Sequence, residues 1–214
     1  MSELIYRERP AAGDPAGLLV LHHGRGADEQ DLLGLADVLD RERRLHVVTP
    51  RAPLTLPGSP GYHWYVVPRV GYPDPDTFVS TMARMGPFLD RLPQITGVPW
   101  ERTIIGGFSQ GAVMSYALGL GAGRPSPLGI IGLSGFIPTV EGFRVDLDSR
   151  PGLPVAIGHG SLDPVISVEF SRRARDLLTA AGLDVTYHED AFPHTIDPAF
   201  VPQLRDWIER RLAA

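Results

Sequence analysis

The feature that most constrains this chain is a β-branched run that ends in a glycine-flanked serine and then continues as a helical pattern. Residues 103–106 read Thr-Ile-Ile-Gly, residues 107–111 read Gly-Phe-Ser-Gln-Gly, and residues 112–120 are rich in Ala, Met and Leu and contain no proline. A buried strand, a sharp turn and a helix fit this order. Glycines two positions before and after Ser109 remove the Cβ atoms that would obstruct the turn. The stretch therefore predicts a nucleophile elbow that presents Ser109 to a carbonyl carbon.

Two backbone amides are candidates for stabilising the negative oxygen that forms when a serine attacks a carbonyl. Gln110 opens the predicted helix, so its N–H would face that oxygen with the positive end of the helix dipole behind it. A predicted buried strand at 18–22 runs into His-Gly-Arg-Gly-Ala-Asp, where glycines allow the amide of Arg25 to turn inward. By itself this loop also fits an ordinary strand-to-helix turn, with Asp28 capping a helix over 29–39. In combination with the elbow it favours an oxyanion loop.

Composition and charge exclude several classes of protein. With 214 residues, 43% of them hydrophobic, and no low-complexity tract, residues 1–214 are expected to form a single domain. The net charge of -5 is spread along the chain, which argues against nucleic acid or an anionic membrane as the main partner. The absence of cysteine excludes disulfides, a thiol nucleophile and cysteine-ligated zinc. Without a signal-peptide pattern or an apolar run of bilayer length, a cytoplasmic protein with no stable membrane insertion is expected.

A long segment from Arg51 to Pro75 is rich in proline, glycine and aromatic residues. Loops of this length are usually functional or disordered, and the aromatic residues argue against disorder. One hypothesis places Trp64 and Tyr65 beside a substrate groove, and the alternative is that they only anchor the loop to the core. Phe136, which follows a predicted strand at 129–135, is a third candidate for the groove. The next segment, 76–92, has its apolar residues at helical spacing.

An aspartate follows another predicted buried strand, at the segment Pro-Val-Ala-Ile-Gly-His-Gly-Ser-Leu-Asp-Pro-Val over 154–165. The residue types leave two roles open for Asp163, a helix N-cap before Pro164 or the acid of a catalytic triad. His159 lies inside the strand end and is interpreted as structural, with its ring bonded to nearby backbone. Ser134 is not a second nucleophile candidate, because it lacks a glycine two positions later and a following helix.

Two histidines near the last predicted strand, 184–189, compete for the role of general base. His188 falls within the strand, where sheet packing would hold its ring, whereas His194 lies in the loop beyond the strand and could reach the elbow. The pattern therefore favours His194. The resulting chain order of Ser109, Asp163 and His194 is the order expected in α/β-hydrolases. A closing helix is predicted over 198–212, with one apolar face.

These stretches together resemble the phospholipase/carboxylesterase family of α/β-hydrolases, which includes small bacterial serine esterases and acyl-protein thioesterases. The similarity extends from Leu18 to Trp207. Six motifs carry it: Leu-His-Gly-x-Gly at 21–26, here with an additional histidine, Pro-Arg-Ala-Pro at 50–53, Trp64, Gly-Phe-Ser-Gln-Gly at 107–111, Leu-Ser-Gly-Phe at 133–136, and His-Gly-x-x-Asp-Pro-Val at 159–165. The fold implied is a mostly parallel central sheet with helices on both faces and no large lid domain.

Carried over residue by residue, the resemblance implies Ser109 as nucleophile, Asp163 as acid and His194 as base. It also implies the amides of Arg25 and Gln110 as oxyanion donors. The chain departs from the family pattern at three places: the additional histidine in His22-His23, Arg25 where an apolar residue is common, and Pro193 where many members have glycine.

The activity implied is that of a serine carboxylesterase acting on short- to medium-chain esters, without a metal or organic cofactor. The substrate would be a small-molecule ester or thioester, and the alternatives are an acyl-protein thioesterase, a lysophospholipase or glycerol-ester hydrolase, or a catalytically inactive binding protein with the same fold. The complete set of Ser, Asp and His weighs against the last. The sequence leaves open whether the protein is a homodimer, since an apolar groove can serve as a dimer face.

Overall fold

A seven-stranded sheet forms the centre of the protein in its computed structural model, which describes residues 4–56, 58 and 60–213. The strands lie in the order β1-β3-β2-β6-β7-β8-β9. Only the edge strand β1 runs antiparallel to its neighbour, and the other described pairings of this sheet are parallel. Its strands are β1 Tyr6–Arg9, β2 Gly17–His22, β3 Leu45–Pro50, β6 Thr103–Phe108, β7 Gly129–Leu133, β8 Pro154–Gly160 and β9 Asp184–Asp190.

Helices cover both faces of the sheet, which explains why the inner strands read as continuous apolar runs rather than alternating ones. All six residues of β2 are buried. Leu18 and Val20 belong to the core on one face, and Leu19 and Leu21 to the core on the other. The five α-helices are α1 Leu33–Leu39, α2 Pro75–Thr96, α3 Gln110–Leu120, α4 Glu169–Ala180 and α5 Val201–Ala213. This arrangement confirms the predicted mostly parallel α/β fold.

The two faces are covered by different helices. Buried side chains of α2, α3 and α4 pack in one core, with Phe78, Met114 and Leu178 among them. Those of α1 and α5 pack in the other, with Ala36 and Trp207 among them. The apolar face predicted for the closing helix is thus confirmed.

Three helices begin later than the sequence predicts, and an aspartate precedes each of them. Helix α1 begins at Leu33 and not at residue 29. Helix α4 begins at Glu169, several residues after Pro164, and α5 begins at Val201 and not at 198. In each case an aspartate accepts the amide two residues further on, which closes a local turn: Asp28 from Gln30, Asp163 from Val165 and Asp197 from Ala199. These Asx turns satisfy the amide locally and postpone the helix.

The long segment after β3 contains a short antiparallel pair, β4 Leu54–Thr55 and β5 Tyr62–His63. Arg51 ties it to the segment between β2 and α1, since its Nη2 donates to the buried carboxylate of Glu29 at 2.8 Å. Pro57 and Ser59 of the loop lie outside the described residues. In the described ranges, the structure contains no helix with both the length and the apolar character needed to cross a bilayer.

Because β2, β6, β8 and β9 are parallel, their carboxyl ends lie at the same edge of the sheet. The loops that follow these four strands carry Arg25, Ser109, Asp163 and His194. In open α/β sheets this edge is where ligands bind.

Candidate active site

Ser109 lies between β6 and α3 in a backbone conformation that L-residues rarely adopt, with φ 56° and ψ -121°. Neighbouring backbone approaches the turn closely on both sides and leaves no room for a Cβ atom at residue 107 or 111. A Cβ at residue 107 would lie 2.5 Å from the backbone of Gly111, and a Cβ at residue 111 would lie 1.9 Å from the carbonyl oxygen of His22. Both glycines are therefore required by the packing. The amide of Ser109 donates to the carbonyl of Leu133 on β7 at 2.8 Å, which holds the elbow against the sheet.

His194 connects Ser109 to Asp163. Its Nε2 lies 3.0 Å from Ser109 Oγ, and its Nδ1 lies 2.6 Å from Asp163 Oδ2. Because a carboxylate only accepts, Nδ1 carries the hydrogen and Nε2 is free to accept the hydrogen of the serine hydroxyl. The Asp163 side chain is fully buried, whereas 17% of the His194 side chain is exposed. The structure thus brings the three residues singled out in the sequence into one hydrogen-bonded series.

Asp163 accepts hydrogen bonds at both carboxylate oxygens. Oδ1 accepts from the amides of Val165 and Ile166, each at 2.8 Å, while Oδ2 accepts from His194. Burial disfavours the charged form, but the hydrogen bonds from His194 and the two amides outweigh it and hold the pKa of Asp163 below its usual value. The two roles that the sequence leaves open are therefore not exclusive. One oxygen binds turn backbone and the other binds the histidine.

His159 also reaches this carboxylate, a contact that the sequence reading missed. Its ring is buried, with Nε2 at 2.8 Å from the carbonyl oxygen of Ile166 and at 3.2 Å from Asp163 Oδ2. Both partners only accept, so Nε2 carries the hydrogen, and Nδ1 lies against the hydroxyl of Ser171. Burial is the main cause that lowers the pKa of His159, which keeps the ring neutral. The predicted backbone contact is present, and a close contact with Asp163 Oδ2 comes with it.

The loop that carries His194 is held against the end of β8. The amide of Leu162 donates to the carbonyl of Phe192, and a Cβ at residue 160 would lie 2.1 Å from that same oxygen. Gly160 therefore allows the loop to pass directly over β8. On the other side, the His194 ring packs against Phe108 with 4.9 Å between ring centroids. Pro193, the departure from the family pattern, is exposed within this loop.

His188, the competing histidine, points away from the elbow. Its Nε2 binds Asp197 Oδ2 at 2.7 Å, and its ring is stacked on Phe200 at 4.5 Å. Both partners lie between β9 and α5, so the ring is held in the packing beneath the loop.

The amides of Arg25 and Gln110 have no acceptor among the residues that the structure describes. The Gln110 side chain is engaged: Oε1 accepts from the amide of Trp64 at 2.9 Å, and Nε2 donates to the carbonyl of Tyr65 at 2.8 Å. The first residue of α3 thus holds the long loop beside the elbow while its own N–H stays available.

The additional histidine of the His22-His23 pair supports the Arg25 loop from below. His23 Nδ1 donates to the carbonyl of Gly24 at 2.7 Å, and its Nε2 accepts from the amide of Ala52 at 3.0 Å. Its carbonyl oxygen accepts from Trp64 Nε1 at 2.8 Å. Burial lowers the pKa of His23, consistent with a neutral ring that donates through one nitrogen and accepts through the other.

Trp64 is not exposed to the groove, so its assignment as a groove residue is corrected. It is 0% exposed and lies under the loop, where its ring packs against those of His22 and His23. The alternative interpretation, that this residue anchors the loop to the core, fits the structure. The hydrogen bonds of Trp64 to His23 and Gln110 connect residues that are far apart in the chain. No local sequence pattern could have revealed them.

An open cavity of about 360 Å³ lies in front of Ser109 and His194. Tyr65 and Phe136, two of the three predicted groove residues, line it together with Arg25, Val67, Arg69, Val70, Gly71, Tyr72, Pro73, Gln110, Val165 and Ile166. A second groove of about 370 Å³ adjoins it and shares Gly71, Tyr72 and Phe136. Within the described part of the chain, no group of three His, Asp or Glu side chains is arranged to hold a metal ion.

A mostly parallel sheet with a serine at a strand-to-helix elbow, followed in chain order by an aspartate and a histidine in later loops, is the architecture of the α/β-hydrolases. The chain belongs to the phospholipase/carboxylesterase family within that class, since the family model matches residues 9–212. The resemblance derived from the motifs is thereby confirmed.

Similar proteins include both esterases and thioesterases. Acyl-protein thioesterase 1 of Debaryomyces hansenii is 27% identical over 96% of this chain and 95% of its own length. The homologue of the same name from Yarrowia lipolytica is 24% identical, with 95% of each chain covered. Among solved structures, esterase PE8 superimposes with a TM-score of 0.84 at 29% identity, covering 98% of this chain and 99% of the other. A Bacillus cereus carboxylesterase gives a TM-score of 0.85 at 22% identity, covering 97% and 94%.

Proposed function

We propose that the protein is a serine carboxylesterase that hydrolyses short- to medium-chain carboxylic esters through an acyl-enzyme intermediate. The observation that carries this proposal is the hydrogen-bonded series from Ser109 through His194 to Asp163, located at an open cavity with apolar walls. Membership in the phospholipase/carboxylesterase family supports an ester as the substrate.

In the first half of the reaction, Ser109 Oγ attacks the ester carbonyl carbon while His194 Nε2 takes the hydroxyl proton. Asp163 keeps the imidazole in the required tautomer and stabilises the imidazolium that forms. The tetrahedral intermediate collapses when the C–O bond to the leaving alcohol breaks. His194 donates its proton to that alcohol, and the acyl group remains bonded to Ser109.

In the second half, His194 takes a proton from a water molecule that attacks the acyl-enzyme carbonyl. The C–O bond to Ser109 then breaks, His194 returns the proton to Ser109 Oγ, and the carboxylic acid leaves.

The oxyanion of both tetrahedral intermediates would lie between the N–H groups of Arg25 and Gln110. Their lack of an acceptor among the described residues supports this role. Each such donor contributes on the order of 3 kcal/mol to transition-state stabilisation in serine hydrolases.

The dimensions of the cavity support short and medium acyl chains. Its volume is about 360 Å³, and Val67, Val70 and Ile166 give it apolar walls. A thioester is the second candidate substrate, favoured by the acyl-protein thioesterases among the relatives. The same triad would cleave it, with a thiol in place of the alcohol as leaving group.

The proposal is tested with p-nitrophenyl esters from acetate to palmitate, assayed side by side on the wild type and on Ser109→Ala. We expect cleavage of short and medium esters by the wild type and no turnover above background by the variant. Matched acyl-coenzyme A thioesters assayed in parallel compare the second candidate. Folded wild-type protein that cleaves neither series would contradict the proposed hydrolase activity.

A further inference from the structure

The cavity in front of Ser109 differs in charge from the rest of the molecule. The chain carries 25 acidic and 20 basic residues. Among the described residues that line the cavity, however, Arg25 and Arg69 are charged and no aspartate or glutamate is present. A positive cavity in a negative protein raises the local concentration of anionic ligands.

Neither arginine has an acidic partner among the residues that the structure describes. Other arginines do: Arg9 pairs with Asp40, Arg51 with Glu29, and Arg211 with Asp184. The guanidinium groups of Arg25 and Arg69 therefore remain available to a ligand. Burial is the main cause that lowers the pKa of His63, and the positive charge of nearby Arg25 is the second.

Arg69 is positioned by local structure rather than left as a free chain. Its guanidinium lies 3.7 Å from the centre of the Tyr72 ring, and the amide of Tyr72 donates to the Arg69 carbonyl at 3.0 Å. Gly71 allows this turn with a φ of 86°, and a Cβ there would lie 2.5 Å from the Phe170 ring. Stacking on Tyr72 reduces the conformational freedom that the guanidinium loses when it binds an anion.

We propose that the natural substrate is a small ester that bears a carboxylate, bound by Arg25 and Arg69 while its carbonyl lies at Ser109. This inference rests on the proposed esterase function and specifies its substrate class. The two oxygens of a carboxylate match the planar donor fork of a guanidinium. The hydrocarbon between carboxylate and ester would pack against Val67, Val70 and Phe136. The same fork also matches a phosphate, so the experiment includes a phosphonate that distinguishes the two anions.

The experiment compares two esters that differ in charge but not in acyl length, mono-p-nitrophenyl glutarate and p-nitrophenyl valerate. A second pair carries the charge on the leaving group, 4-acetoxybenzoate against 4-acetoxybenzamide. We expect the wild type to prefer the acidic member of at least one pair by about tenfold in kcat/KM, a preference that declines at high salt. Equal or lower kcat/KM for the acidic member of both pairs would overturn the proposal.

Substitutions at Arg69 test whether this residue causes the preference for acidic esters. In Arg69→Gln, the acidic-to-neutral ratio of kcat/KM should fall severalfold, with the remainder due to Arg25, and Arg69→Lys should retain more of the preference. Arg41→Gln is the matched control: it removes the same charge from an exposed site that does not line this cavity. An equal fall in the ratio for Arg41→Gln would show a nonspecific charge effect and contradict the assignment.

Three further outcomes are distinguishable. A p-nitrophenyl ester of 4-phosphonobutyrate that is cleaved in preference to the glutarate ester would overturn the choice of a carboxylate. If the valerate ester is cleaved and the acidic esters are not preferred, only the substrate class is wrong. If the folded protein cleaves neither the valerate ester nor the acidic esters, the proposed esterase function itself fails.

Discussion

Asp163 determines the geometry of the site at the scale of single residues. It accepts from His194 at one oxygen, with His159 Nε2 3.2 Å from the same oxygen, and from two amides at the other. Replacement by asparagine keeps the size of the side chain but no longer holds His194 in the tautomer whose Nε2 accepts from Ser109.

We therefore expect Asp163→Asn to fold normally and to lose about four orders of magnitude in kcat. Ester turnover and a thermal melt on the same preparation check both statements. Turnover near that of the wild type would contradict the triad.

His159 is expected to act as a positioning residue through Asp163. In His159→Gln, we expect a reduction in kcat of about tenfold at nearly unchanged KM. Removing a neutral donor leaves more negative charge on the carboxylate, which favours the His194 imidazolium. The acid limb of the kcat/KM profile should therefore move to higher pH.

The control is His188→Gln, which removes a different, partly buried histidine–aspartate contact, that with Asp197. It should leave the pH profile in place. If His159→Gln only lowers the fraction of active enzyme and keeps the wild-type pH profile of kcat/KM, the role of His159 is purely structural.

The residue types of the site could be predicted from the sequence because each stands in a local pattern. Ser109 lies between two glycines, Asp163 follows a strand, and His194 lies in the loop after the last strand. The His159 contact to Asp163 and the burial of Trp64 depend on packing between distant segments. The catalytic roles of Ser109, Asp163 and His194 remain predictions.

At the scale of elements, the long loop after β3 supports the loop that carries Arg25. Trp64 joins the two through its Nε1 bond to His23, and its amide joins them to Gln110. We expect Trp64→Ala to lower the free energy of unfolding by about 3–5 kcal/mol, the usual cost of deleting a large buried aromatic side chain.

Chemical denaturation measures the loss, and the p-nitrophenyl series measures the preferred acyl length. That preference should not change, since Trp64 does not line the cavity. A change in preferred acyl length with an unaltered free energy of unfolding would show that Trp64 contacts the substrate in the groove.

Phe136, in the connection between β7 and β8, lines both the cavity at Ser109 and the adjoining groove. Phe136→Ala should connect them and move the preferred acyl length toward longer chains, which would extend along Ile137 and Phe170. The same p-nitrophenyl series checks this, with Leu177→Ala as the control, since Leu177 lines the groove but not the cavity at Ser109. An unchanged optimum in Phe136→Ala would show that acyl chains take another path.

Element identity was predictable from apolar periodicity, but the starts of α1, α4 and α5 were not. Each was expected earlier. For α1 and α4 the reason is that an aspartate before an apolar pattern resembles an N-cap. An aspartate that binds the amide two residues later closes a turn instead, and the sequence does not distinguish the two outcomes.

At the scale of the whole molecule, the sheet brings together residues that are far apart in sequence. Strand β2 pairs with β6, and β8 pairs with β9, so the loops after all four lie at one edge. The mostly parallel sheet was expected from the resemblance to the phospholipase/carboxylesterase family, and the motifs at the strand ends indicated the site residues. The order of the strands could not be predicted, because pairings such as that between β2 and β6 depend on packing across the whole chain.

The central claim is that Ser109 is the nucleophile, and covalent labelling tests it most directly. Incubation with an alkyl fluorophosphonate, followed by intact-mass measurement and peptide mapping, should give one adduct per chain, on the peptide that contains Ser109. The adduct should form much more slowly in His194→Ala, where the base is missing. No adduct on folded protein, or an adduct on another serine such as Ser134, would contradict the account.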